Sequence, residues 1–225
     1  MEALIGVQQN PAFHPEGDVF EHTMLVLDAA ASHRSEAQQP LHYMYAALLH
    51  DVGKPVASSV KDGRIISYGH PEAGVPLAET QLRRLSDNSA LIAYVKNMVL
   101  YHMQPNLMAH DGAGFKATRK LFDKSVCPRD LVWLARADGE GQKAAPYSPA
   151  NWAFTVGRLI DYEEIVKQPM VTGQDLIKMG VIPSPQMKTL LERARLLLFS
   201  GLEKPQILKQ LQSEINQKHR EDTGA

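Results

Sequence analysis

The sequence predicts an all-α fold: a helical bundle with one short β-hairpin and a small C-terminal helical appendage. Three observations carry that expectation. Apolar residues recur three and four apart along most of the chain, the period of helices with one buried face. Capping residues, prolines and glycines punctuate these runs where helices begin and stop. A hairpin signal occurs convincingly only once, at Lys61-Asp62-Gly63 between two short apolar runs.

Taken in order, Asp18 with Glu21 reads as a capping box that opens a helix through about Ser32, with Val19, Met24, Leu25, Val26 and Ala29 sharing faces with His22. Pro40 suits the first position of a second helix, whose apolar residues Leu41, Met44, Tyr45, Leu48, Leu49 and Val52 recur until Gly53 and Pro55 stop it. His50 and Asp51 then project from its last turn. The ribbon over Val56 to Tyr68 delivers Gly69-His70 to the start of a third helix. Leu91 to His102 aligns Ile92, Val95, Val99 and His102 on one inward face, and Pro128 to Asp138 aligns Leu131, Leu134, Ala135 and Asp138, with Gly139 and Gly141 expected to end that helix. Asp87 to Ala90 and Gln104 to Lys116 read as loops. A helix over Ala150 to Gln168 follows, then Pro169 and a Thr172–Asp175 capping box, with short helices at Gln174–Met179, Pro185–Phe199 and Pro205–Lys218 and a polar, frayed end from His219. The division expected is 1–168 for the main domain and 169–225 for the appendage.

At 225 residues the chain can bury a core without disulfides or a structural metal. Its one cysteine, Cys127, excludes an internal disulfide and a Cys-rich zinc site. No stretch is long and apolar enough for a transmembrane helix, and the N-terminus has neither the basic start nor the apolar core of a signal peptide, so the expectation is a cytoplasmic protein without membrane contact. A net charge of −1 provides no general basic surface for DNA or RNA; any RNA contact must be local.

The chemistry lies in His22, His50-Asp51, His70, His102 and Asp138, which fall at or beside predicted helix ends in the order H, HD, H, H, D. One histidine on an apolar face is more often a hydrogen-bonded core residue than a ligand. Two carboxylates and four imidazoles turned into one helical interior are different, because buried carboxylates must be paired or bind metal. Imidazole and carboxylate ligation without thiolate suits one or two divalent ions such as Mn, Fe, Co, Ni or Mg. Lys54, three residues past Asp51, can reach a phosphate as a point charge or cap its own helix. Arg119 is a second candidate phosphate contact. Arg136, off the Asp138 face, reads as solvated or ion-paired, and His14, His33, His42, His110 and His219 as surface or structural, with His14 close enough to reach the mouth of the site.

These strings, HPEGDVFEHTMLVLD, AALLHDVGKP, GHPEAG, Tyr101-His102 and LARADGEG, with VTGQDLIKMGVIPSPQMKTLLERA after them, resemble the HD-domain metal-dependent phosphohydrolases. They are most similar to the HD portion of bacterial CCA-adding and poly(A)-polymerase-like enzymes. The resemblance implies one metal on His22, His50, Asp51 and Asp138, a second on Asp51, His70 and His102, and a water activated between them to attack a phosphate ester. It further implies nucleotide or RNA-end substrates bearing 2′-phosphates or 2′,3′-cyclic phosphates. Two departures stand out. Gly69-His70 is followed by Pro71, which moves the acidic side chain to Glu72; and no Gly-Ser signature or Asp-x-Asp pair is present, so nucleotidyl transfer by this chain is not expected. Alternatives are a non-catalytic nucleotide- or tRNA-binding HD module and, less favoured by Lys54, a di-iron oxygenase.

Overall fold

In the computed structural model the backbone is described for residues 1–223 and side chains for residues 1–217. Twelve helices and one two-stranded ribbon are present among them. Contacts divide the chain into two compact units, Met1–Ile160 and Asp161–Ala225. The break falls a little before the 168/169 division expected from sequence, within helix α9.

The first unit begins with a short 3-10 turn and a loop that leads to α1 (Val19–Ser32), where the Asp18 side chain accepts from Glu21 N and so satisfies an orphan amide of the first turn. Helix α2 (Pro40–Leu49) has its proline at the start, as expected, but stops at Leu49. A separate short helix, α3 (Lys54–Ala57), follows the turn, so Pro55 opens a helix and does not end one. The ribbon β1 (Ser59–Lys61) and β2 (Arg64–Ile66) pairs Lys61 with Arg64 across Asp62 and Gly63. Both turn residues have positive φ, 50° and 73°, which is the backbone a tight two-residue hairpin demands.

Helices α4 (His70–Arg83), α5 (Ser89–Tyr101) and α8 (Pro128–Gly141) complete the scaffold of the site. Helix α1 packs on α8 and α2, α2 on α5, and α4 on α5, around a core that includes Val26, Tyr43, Ala46, Ala47, Leu82, Val95, Val99 and Leu131. Between α5 and α8 the chain forms α6 (Gln104–His110) and α7 (Phe115–Lys124). The expected loop from Gln104 to Lys116 is therefore mostly helical; Pro105 sits where a helix start tolerates it, and the run was too short and polar to reveal its period.

Gly139 and Gly141 lie inside α8, not beyond its end. A side chain at Gly141 would stand 2.5 Å from Val26 Cγ2, and one at Gly139 would stand 2.3 Å from the Tyr147 ring. These glycines allow close approach, of α1 to α8 in the first case. They are not stop signals.

Helix α9 (Pro149–Val166) spans the boundary between the units. The second unit holds α10 (Gly173–Lys178), opened by the Thr172–Asp175 capping box, then α11 (Pro185–Leu198) and α12 (Lys204–Thr223). Leu176, Leu190, Leu197, Ile207 and Leu211 form its own core. The fraying expected from His219 is not seen in the backbone as far as Thr223; the side chain of His219 and residues 224–225 lie outside the described residues.

Candidate metal centre

Helix ends and turns deliver all six candidate ligands to one buried point. His22 lies one turn into α1, His50 caps α2 with Asp51 next to it, His70 opens α4, His102 caps α5, and Asp138 lies in the last turn of α8. All six are buried. Backbone approach sets how closely they converge: a Cβ on Gly53 would stand 2.0 Å from His70 O and 2.6 Å from Gly74 N. Only glycine lets the turn after Asp51 lie against the start of α4.

The imidazoles are oriented by what their outer nitrogens hold. His50 Nδ1 donates to Ala47 O at 2.8 Å and His102 Nδ1 to Val99 O at 2.7 Å, each using a carbonyl left unpaired at its helix end. His70 Nδ1 donates to Ser67 O at 2.7 Å, and His22 Nδ1 to Glu16 Oε1 at 2.9 Å. With the hydrogen on Nδ1, a neutral ring presents its lone pair on Nε2, and all four Nε2 atoms face the centre.

Asp51 stands between them. Its Oδ2 lies 3.2 Å from His50 Nε2 and 3.7 Å from His22 Nε2, while its Oδ1 lies 3.2 Å from His70 Nε2 and 3.6 Å from His102 Nε2. Asp138 Oδ1 is 3.1 Å from His22 Nε2 and 3.8 Å from His50 Nε2. The donors thus form two triads, His22–His50–Asp138 and Asp51–His70–His102, each with its atoms within 4.8 Å of one another.

The donor set suits divalent cations on physical grounds. His50 Nε2 and Asp51 Oδ1 are buried without a hydrogen-bond partner among the described residues, and Asp51 Oδ2 meets only the Lys54 ammonium, which is costly unless another group engages them. His70 Nε2 and His102 Nε2 face each other at 3.3 Å, two lone pairs that repel unless a proton or a cation lies with them. Charge is arranged to match. Burial opposes ionisation of Asp51, yet the Lys54 ammonium and His50 hold its carboxyl well below the usual carboxylate range. Asp138 is likewise held low against burial by His22 and His50. Burial alone would depress His22, but its bonds to Asp138 and Glu16 lift it to about 9, while burial lowers His102.

A family model, HD domain, matches residues 19–141 and so embraces His22 through Asp138. The chain belongs to the HD-domain family. HD domains bind divalent metals and make up a superfamily of metal-dependent phosphohydrolases, and the two triads are the residues of this HD domain that could hold such ions. Curated relatives carry the name "Multifunctional CCA protein". That of Halorhodospira halophila is 40% identical over 46% of this chain and 23% of its own length; that of Alkalilimnicola ehrlichii is 36% identical over 68% and 37%; that of Actinobacillus pleuropneumoniae serotype 5b is 28% identical over 74% and 42%. The chain spans less than half the length of each. No solved structure gives a significant match.

Other residues singled out from sequence fall elsewhere or behave differently. Lys54 does not cap α2. It begins α3, and its buried Nζ lies 2.6 Å from Asp51 Oδ2 and 2.6 Å from Gln9 Oε1. Arg119 is buried on α7 and donates to Asp123 at 2.9 Å, a contact that ties it to its own helix. Glu72 is exposed on α4, so the acidic residue after Pro71 does not enter the cluster. Arg136 is ion-paired to Glu140 and stacked 4.4 Å over the Trp152 ring.

Sequence reasoning missed Glu16 and Gln9. Glu16 Oε1 takes bonds from both His14 and His22, and its Oε2 accepts from Lys143 N; burial works against its charge, but these bonds bring it down to about 2. Both residues lie in an irregular segment with no period to read. The HPEGD string was the one available signal for Glu16.

Proposed function

We propose that this HD domain hydrolyses phosphate esters of nucleotides or RNA ends, with 2′-phosphates and 2′,3′-cyclic phosphates as the favoured substrates. The observation that carries the reading is the shared carboxylate of Asp51, whose two oxygens face two different sets of imidazoles. Bound there, divalent ions would activate a water and neutralise charge on phosphoryl oxygens. The chain's own residues do the remainder. His22, His50 and Asp138 would hold one ion and His70 and His102 the other, with Asp51 common to both. Glu16 and the three backbone carbonyls keep the Nε2 atoms aimed inward. Lys54 stands over Asp51 as a positive charge that a substrate phosphate can approach, in a position that buries its ammonium away from bulk water.

The substrate preference rests on the similarity to the CCA proteins and to their HD portion in particular; nucleotidyl transfer is not part of the proposal. The test is elemental analysis of the purified protein together with a phosphate-release and ring-opening screen over 2′-, 3′-, 5′- and 2′,3′-cyclic nucleotides. Bound metal with turnover fastest on 2′ and 2′,3′-cyclic substrates is the expected result. Metal without turnover of any ester would favour the nucleotide-binding module instead. A protein that takes up no divalent ion would defeat the reading altogether.

A further inference from the structure

Next to the metal centre lies an open cleft of about 380 Å³, lined among others by Gln8, Gln9, His14, Asp18, Glu21 and Ile65. Two of these side chains also touch the centre. Gln9 accepts from Lys54 Nζ at 2.6 Å, the same ammonium that lies on Asp51 Oδ2, and the His14 ring stands edge-on to His22 at 4.7 Å. A molecule whose phosphate lies at Lys54 and the Asp51 side of the triads can therefore extend into this cleft without crossing the core.

The lining specifies what could extend there. It offers the exposed amide of Gln8, an imidazole, and the apolar side chain of Ile65 on the ribbon, which suit a planar heterocycle and a sugar; the Gln9 amide is engaged at both ends, accepting from Lys54 and donating to Asp18 O at 3.1 Å. It contains no lysine or arginine but does contain two carboxylates. Asp18 is occupied, accepting from Gly6 N at 2.5 Å and Glu21 N at 2.9 Å. Glu21 is exposed, with no described bond to its carboxylate, so it is available to a sugar hydroxyl and repels a second phosphate.

We propose that this cleft seats the neutral nucleoside of the substrate and selects against a second phosphate, so that of the two substrate classes named above the free nucleoside monophosphate is preferred over the RNA end. The proposal rests on the phosphohydrolase reading for its chemistry, but the nucleoside contact can be measured without turnover. In the wild-type protein, kcat/KM for adenosine and uridine 2′-monophosphates should exceed that for the 2′,5′-bisphosphates by about tenfold. Glu21→Lys should bring that ratio towards one. Ile65→Trp, half-buried on β2, should fill the cleft and lower kcat/KM for the monophosphates by about tenfold while leaving methyl phosphate, which has nothing to place in the cleft, unchanged. Ligand-observed NMR with adenosine and metal-free protein should show binding to the wild type and none to Ile65→Trp.

If methyl phosphate is turned over and Ile65→Trp slows all substrates equally, or none, the cleft assignment is overturned. A bisphosphate preference in the wild type would overturn it as well. If no ester is hydrolysed but adenosine binding still depends on Ile65, the phosphohydrolase reading falls and the nucleoside cleft stands.

Discussion

Helix α8 carries a buried carboxylate near each end, and the two are held in opposite ways. Asp130, in its first turn, accepts from Gln38 N at 2.7 Å, Gln39 N at 3.1 Å and Tyr94 Oη at 2.7 Å. Every one of these partners is a donor by its chemistry, so the charge is met and the loop before α2 is pinned to α8. Asp138, in the last turn, faces His22 Nε2 and His50 Nε2; its donor is the extra proton that keeps His22 charged in the metal-free protein, a proton that a cation can replace, while His50 spends its own hydrogen on Ala47 O. A buried carboxylate surrounded by N–H and O–H donors is a structural clamp; one surrounded by lone pairs is a place for a cation. Asp51 faces imidazole lone pairs from both its oxygens, with the Lys54 ammonium on Oδ2 as its donor.

That contrast can be broken most directly at Asp51. Asp51→Ala should abolish metal binding at both triads and lower ester hydrolysis by ~10³-fold or more, and in the metal-free protein it should also cost stability, because the buried Lys54 ammonium loses its counter-charge. Metal analysis and kcat/KM on one preparation decide it; a variant that kept its metal would place the bridge elsewhere. Asp130→Ala should cost stability alone, a loss of about 3 kcal/mol by denaturant unfolding as buried donors lose their acceptor, with metal stoichiometry unchanged in the folded protein. Were Asp130→Ala instead to lose metal while remaining stable, the distinction between the two ends of α8 would collapse.

Smaller effects sharpen the comparison. Lys54→Ala should cost roughly 1.5–3 kcal/mol in kcat/KM on every phosphorylated substrate and leave metal content intact, as expected for one charge-assisted contact to phosphate. Equal kinetics in the variant would reduce Lys54 to a counter-charge for Asp51. Glu16→Gln should weaken metal affinity ~10–100-fold by loosening the His22 ring, with the larger loss at the His22 triad, read by competition with a chelator.

The mildest expectation concerns pH. In the metal-free protein His22 is raised to about 9 from an ordinary 6.5, so its pairing with Asp138 stabilises the fold fully below 6.5 and is lost as the pH rises through about 9. Metal must displace that proton, so uptake should release protons and tighten over the same range. The gap in Tm between metal-loaded and metal-free protein should therefore widen from pH 6.5 to 9; a constant gap would exclude His22 from the ligand set.

The order H, HD, H, H, D, the helices that carry those residues and the ribbon before His70 were legible in the chain because each depends on neighbours a few residues away. Helical period tells which face of its own helix Asp138 or His102 occupies, and the Asp62-Gly63 pair names its own turn. Even the tethers of His50, His70 and His102 are local, each to the carbonyl three residues before it. Period is silent about which element covers a face. From sequence alone Asp130 and Asp138 are two acids on one helix, Arg119 is an available cation, Gly139 and Gly141 are helix stops, and Glu16 and Gln9 are loop residues. Tertiary packing decided these: Tyr94 and the loop at Gln38 met Asp130, Asp123 took Arg119, Val26 and Tyr147 pressed against the glycines, and the segment before α1 folded back so that Glu16 holds His22 and Gln9 holds Lys54. The physical reason is range: a hydrogen bond or a van der Waals contact acts over a few ångströms in space, and only the folded chain brings distant residues within that reach.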